Sequence, residues 1–139
     1  WIMVNIMKNI SILFLFVIIT YIIACSSPVA NIPAKRVGYY IGIQAILQKR
    51  ALILQIENSG AINMWYNDTN NISNPPTKPA NPFSVKAENI KGVDPSYSYQ
   101  NEQGAGTLTF IGDKKVIVTF RKLVPDYYGF EETCTNQNP

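Results

Sequence analysis

From residue 36 to its end this chain reads as all-β: an antiparallel meander closing into a small up-and-down barrel of seven or eight strands, with a two-sheet sandwich as the alternative. Three observations carry that reading. Apolar residues recur with a period of two in successive runs between Val37 and Thr135, the spacing of strands with one buried face. The runs are separated by turn formers such as Asn58-Ser59-Gly60 and Gly112-Asp113, where glycine tolerates positive φ. No segment after Arg50 repeats its apolar residues at a helical spacing. Hairpin-linked strands in that number leave edges that closure removes.

The first strand is read in RVGYYIG, with Val37, Tyr39 and Ile41 facing the core and Gly38, Tyr40 and Gly42 opposite. Residues 41–50, IGIQAILQKR, also fit a helical spacing through Ile43, Ile46 and Leu47. They are taken as the end of that strand and a turn near Gln48-Lys49. ALILQIE and AINMWYN form the clearest hairpin, with Leu52, Leu54 and Ile56 answered by Ile62, Met64 and Tyr66. Ile53 and Trp65 then fall on the outer side. FSVKAEN alternates with Phe83, Val85 and Ala87 inward, and SYSYQ offers Tyr97 and Tyr99. Gly104-Ala105-Gly106 is read as a turn into TLTFI, which points Leu108 and Phe110 inward. Val116, Val118 and Phe120 follow in KVIVTFRK, and Phe130, Glu132 and Cys134 share one side of FEETCT.

The one long connection, residues 67–82, holds five Asn and four Pro and few apolar residues. Such a segment buries too little to order itself strongly. It is expected to be a surface loop, or alternatively a lid or recognition loop over one mouth of the barrel.

The amino end follows different rules and is expected to form a signal helix over residues 1–24. Lys8 follows Met7, residues 10–24 are almost wholly apolar, and the run stops at Ala24 and Cys25. Its 15 residues reach about 22 Å as a helix, short of the ~30 Å hydrocarbon core, so it suits an export signal better than a permanent span. Trp1 is read as a fragment or misplaced start, with Met7, or alternatively Met3, as the expected beginning. The ending Ile22-Ile23-Ala24-Cys25 resembles the lipobox of bacterial lipoproteins. That resemblance implies cleavage between Ala24 and Cys25 and a diacylglyceryl group on the Cys25 sulfur. It also implies acylation of the new amine and residence in the bacterial cell envelope. Ser26 follows the cysteine where Asp would retain an enteric lipoprotein at the inner membrane, which points to the outer membrane or cell surface. Residues 25–35 are then lipidated cysteine and extended tether, punctuated by Pro28 and Pro33, and residues 36–139 form one β domain.

Chemistry is sparse. The chain has no histidine, which removes the commonest general base and metal ligand. Glu131 and Glu132 are adjacent on a strand and so point to opposite faces. Asp94, Asp113 and Asp126 fall at turns, where Asp caps its own backbone. No metal-ligand spacing or phosphate-binding loop is present, so no catalytic residue, cofactor or metal is expected and the chain is read as a non-enzyme. Twelve basic and nine acidic residues give a net charge of +3, too weak a field to favour either nucleic acid or anionic lipid as a partner. With Cys25 lipidated, Cys134 has no partner in the chain and is read as a buried small hydrophobe.

Aromatic side chains remain as contacts for a ligand or partner. Tyr40 and Trp65 are expected on the face away from the core, and Tyr97 and Tyr99 inward, where they pack the core or line a pocket. Two functions follow: a membrane-anchored lipoprotein with a binding or structural role towards a protein, or a lipocalin-like carrier of a small apolar ligand. That likeness to lipocalins is one of architecture alone.

Overall fold

A computed structural model of the chain describes residues 30–43, 49–123 and 129–137. It contains nine strands: β1 (Gly38–Ile43), β2 (Arg50–Ile56), β3 (Ile62–Asp68), β4 (Phe83–Val85), β5 (Ile90–Val93), β6 (Ser96–Gln100), β7 (Gly104–Ile111), β8 (Lys115–Lys122) and β9 (Gly129–Asn136). The signal segment, Cys25, the ambiguous stretch 44–48 and Asp126 lie outside the described residues.

All nine strands belong to one antiparallel sheet in the order β4-β3-β2-β1-β9-β8-β7-β6-β5. A single sheet replaces the sandwich alternative with a nearly closed barrel. β1 completes the ring by pairing with β9 at Tyr40–Asn136 and Ile41–Thr135. The break lies between β4 and β5, which follow each other in the chain and, by the directions of their neighbours, run the same way. Only Lys86 and a 3-10 turn at Ala87–Asn89 separate them. They are thus two halves of one interrupted strand, the first paired with β3 and the second with β6. Counted together they complete an eight-membered up-and-down ring. Asn101 Nδ2 donates to the Ser84 carbonyl at 2.7 Å across the gap, and the Phe83 and Tyr99 rings meet there at 6.0 Å.

The expected hairpin register holds. Leu52, Leu54 and Ile56 on β2 and Ile62 and Met64 on β3 enter the main core with Val85, Tyr97, Tyr99, Leu108, Phe110, Val116, Val118 and Cys134. The face of β1 is opposite to expectation. Tyr40 is fully buried in this core, while Tyr39 and Ile41 pack on an outer cluster with Ala51, Ile53 and Trp65. Tyr39 and Ile41 are as apolar as an inward set, so alternation alone leaves two faces to choose from. The core takes Tyr40 because its hydroxyl donates to the Arg36 carbonyl at 3.1 Å.

Gly104 and Gly106 belong to β7 itself, after a turn in which the Asn101 side chain accepts from the Gln103 and Gly104 amides. Their lack of a side chain admits two rings. A Cβ on Gly104 would stand 2.4 Å from Phe120, and one on Gly106 would stand 2.5 Å from the Tyr99 hydroxyl. That hydroxyl donates to the Thr119 carbonyl through the space left open.

One end of the barrel is closed by the chain that precedes it. Residues 30–35, read as tether, are part of the fold: Ala30 and Ile32 are buried in the core, and the Ala30 amide donates to the Ile90 carbonyl at 2.9 Å. Arg36, only 3% exposed, sits 4.3 Å over the Phe110 ring. Its Nε and Nη2 reach the two Asp94 oxygens at 2.9 and 3.2 Å, and Nη1 donates to the Gly112 carbonyl. Asp94 therefore serves a distant arginine, where the sequence suggested a local turn cap.

Two outcomes are expected in urea denaturation. Gly106→Ala loses about 2–3 kcal/mol, because the methyl group is forced against Tyr99 and strand β8. Asp94→Ala leaves the guanidinium without its carboxylate; as 30% of the Asp94 side chain is in solvent, the cost at pH 7 is at the low end for a buried pair, about 3 kcal/mol. The hydrogen bond from Arg36 holds the Asp94 carboxyl below its ordinary 3.8. Its contribution is therefore complete above that value and fades as pH falls through the lower folded value. The gap between wild type and Asp94→Ala should close over that window and stay constant above it.

Candidate functional site

At the end of the barrel away from Arg36 the interior is not filled. A cavity of about 160 Å³ is lined by Leu52, Met64, Trp65, Tyr66, Phe83, Phe120 and Phe130. Apart from Trp65, whose neighbours Met64 and Tyr66 are the inward ones, each position follows from the strand period. Leu52 and Tyr66 are directly paired across β2 and β3, as are Met64 and Phe83 across β3 and β4, and Phe120 faces Phe130 across β8 and β9. Alternation thus brings four aromatic rings to one rim. Phe120 and Phe130 stack at 5.4 Å, Phe83 meets Phe120 edge-on at 5.0 Å, and Tyr66 meets Phe130 at 6.0 Å. Such edge and offset arrangements are favoured by ring quadrupoles and hold the rim in shape.

Size and lining decide what this space admits. A dry apolar cavity of about 150 Å³ takes one benzene-sized molecule, whereas drug-sized ligands need roughly 300–1,000 Å³. The mouth therefore fits a single ring or a short branched chain. The next inward side chain below Phe130 is Glu132, against which a Cβ on Gly42 would lie 2.5 Å away. Burial pushes the Glu132 carboxyl up. Burial, followed by the Glu132 charge, pushes the Cys134 thiol up to about 12, so Cys134 is an inert core thiol, free and buried.

The residues singled out from sequence are dispersed. Tyr97 and Tyr99 point inward as expected but are 2% exposed and do not line the cavity. Tyr99 is fixed by the Thr119 carbonyl and by the Met64 sulfur at 3.9 Å. Tyr40 belongs to the closed end, so its placement on an exposed face is corrected. Trp65 is on the outer face as read, yet only 6% exposed, because Ile53, Ile41, Tyr39 and Ile72 pack around it. Its indole N–H has no hydrogen-bond partner among the described residues.

Ile72 comes from the Asn/Pro-rich segment, which lies on the outer wall and not across the mouth. Asp68 caps its first turn by accepting from the Asn70 amide at 2.8 Å. Ser73 then bonds Thr77 and the Pro75 carbonyl, Pro76 is buried, and Lys78 reaches Glu57 at 3.4 Å. Glu57 also accepts from Asn63 at 2.7 Å, which in turn accepts from Ser84 at 2.6 Å. Side-chain hydrogen bonds supply the order that apolar content could not, and the lid reading gives way to an external strap.

Among the described residues no three His, Cys, Asp or Glu side chains gather where they would hold a metal. No protein-family model, curated protein or solved structure matches the chain.

The cavity predicts its own ligand size. Benzene should raise the thermal midpoint by a few degrees, since a ligand that binds only the folded state stabilises it. Leu52→Phe, which fills the space, should abolish that rise. Molecules as large as retinoids should leave both proteins unchanged.

Proposed function

We propose that this chain is an exported bacterial lipoprotein, anchored through Cys25, whose barrel has a non-enzymatic binding or structural role at the cell envelope. The order of Lys8, an apolar run too short to span, Ala24 and Cys25 carries the anchoring. Each buried methylene contributes ~0.8 kcal/mol, so one acyl chain holds weakly and two or three hold lastingly. Ser26 favours the outer membrane or cell surface over the inner membrane. The binding role draws on the aromatic rim, which presents pre-formed apolar space at an otherwise packed barrel. The contact role first considered for Tyr40, Trp65, Tyr97 and Tyr99 passes to Tyr66, Phe83, Phe120 and Phe130, which surround that space.

The carrier reading is favoured by the same cavity, within its size. An interior filled by Tyr40, Leu54, Tyr99, Leu108 and Val118 leaves no room to enclose a long lipid. A ring-sized ligand, or one apolar group projecting from a protein partner, is what the rim accommodates. No nucleic acid is proposed as a partner.

Metabolic labelling with a clickable fatty acid tests the anchor. Wild type should incorporate the label and appear as a processed band. Cys25→Ser should lose the label and accumulate as precursor, and labelling unchanged by that substitution would overturn the proposal.

A further inference from the structure

We infer that the aromatic cavity takes a small organic ammonium cation, a trimethylammonium head in particular, whose charge is answered by the Glu132 carboxylate; this rests on the proposal that the cavity is a binding site. Glu132 stands on the inward face of β9, between Phe130 of the rim and the buried Cys134. Its carboxyl carbon lies 3.1 Å from where a Gly42 side chain would begin, so the carboxylate is laid across β1. The strand partner of Gly42 is Leu52, which lines the cavity. Directly paired Cβ positions lie about 5 Å apart, so the carboxyl carbon is within roughly 8 Å of the Leu52 Cβ, and Gly42 puts no side chain between them. Among the described residues Glu132 accepts no hydrogen bond and pairs with no cation. Burial is what acts on its carboxyl, and raises its pKa, as it does for an interior acid without a counterion.

The chain itself fills the matching arrangement at the closed end. There the Phe110 ring and the Asp94 carboxylate hold one cation in common, the Arg36 guanidinium, 4.3 Å over the ring and 2.9 Å from the carboxylate. At the mouth a carboxylate and the rings of Tyr66, Phe83, Phe120 and Phe130 come together again, and no basic side chain of the described residues lines the space.

Methylated ammonium is the cation that suits such a wall. Its charge is spread over methyl groups, which need no hydrogen-bond acceptor, and aromatic faces attract it. A trimethylammonium head is comparable in bulk to a benzene ring, whereas a compact ammonium or a guanidinium would bring donors that this lining cannot satisfy. Lys49, Arg50, Arg121 and Lys122 at this end are exposed. Solvent screens their charge, while that of Glu132 acts through the barrel interior at lower dielectric.

The test uses the full chain in detergent, with choline and the neutral alcohol in which carbon replaces its nitrogen, at one ionic strength set with sodium chloride. Binding is read from the rise in thermal midpoint across a titration. Wild type should bind choline about ten-fold more tightly than the alcohol. Glu132→Gln keeps the side-chain shape and removes the charge, so that preference should fall to about two-fold or less. Glu132→Asp, which draws the carboxylate back, should lie between them. Benzene should raise the midpoint of the Glu132 variants as it does that of wild type, and Leu52→Phe should abolish the response to every probe. Glycerophosphocholine, the same head on a phosphodiester, separates the sources: binding of both assigns a lipid head group, and of choline alone a free cation. A wild type without preference for choline, or a Glu132→Gln protein that keeps the full preference, would overturn the inference. A choline response that survives Leu52→Phe would place the cation elsewhere and would also overturn it. If benzene raised no midpoint in wild type, the binding role of the cavity would itself fail, and this inference with it.

Discussion

The buried guanidinium of Arg36 is the constraint on which the closed end of this barrel depends. A cation taken out of water must be matched where it lies, and the match comes from places remote in sequence: the Asp94 carboxylate, the Gly112 carbonyl and the Phe110 face. Meeting those partners fixes the β5–β6 and β7–β8 turns relative to the segment that enters the fold. The same residue offers its carbonyl to the Tyr40 hydroxyl, which sets the face of β1. Ala30 and Ile32 complete the seal by adding apolar surface beside β5, whose other side is unpaired. One side chain thus couples the entry of the chain, the phase of its first strand and the closure of the ring.

The opposite end follows a different physical rule. Large side chains are packed there against positions that carry none: Phe120 beside Gly104, Tyr99 opposite Gly106 and Glu132 beside Gly42. Glycine in a strand forfeits packing of its own, and in exchange a neighbour lies flat across the wall. Around the rim the rings brace one another, edge-on at Phe83–Phe120 and Tyr66–Phe130 and stacked at Phe120–Phe130, about the space they line. A barrel sealed below by charge and open above to one apolar group has two chemically different ends.

The outer wall shows how a segment of low apolar content becomes ordered. Residues 67–82 contribute one aliphatic side chain, Ile72, to the cluster around Trp65, and otherwise hold by caps and side-chain hydrogen bonds. The chain of Ser84, Asn63, Glu57 and Lys78 links β4, β3, the β2–β3 turn and the strap. Asn63 is at its centre and is buried although polar, which is tolerable because its donor and acceptor groups are both used.

Sequence by itself determined the class of this fold and most of its inner face. Leu52, Leu54, Ile56, Ile62, Met64, Leu108, Phe110, Val116, Val118 and Cys134 lie where a period of two places them, since burial of one face is a local and repeated demand. The eight-membered ring was also legible, apart from β5, whose Lys-Gly-Val carries no alternation. The rim was legible in part: Tyr66, Phe83, Phe120 and Phe130 were each read as inward, but nothing local says that four rings meet at one end. Tertiary structure alone decided the rest. Tyr40 or Tyr39 could equally face the core until Arg36 was buried. Trp65 needed neighbours from β1 and the strap to become covered, and Gly104 and Gly106 read as a turn until the rings of Phe120 and Tyr99 required them in a strand. In every one of these cases the deciding partner is distant in sequence, and alternation, which reports only a residue's own strand, has no access to what lies across the barrel.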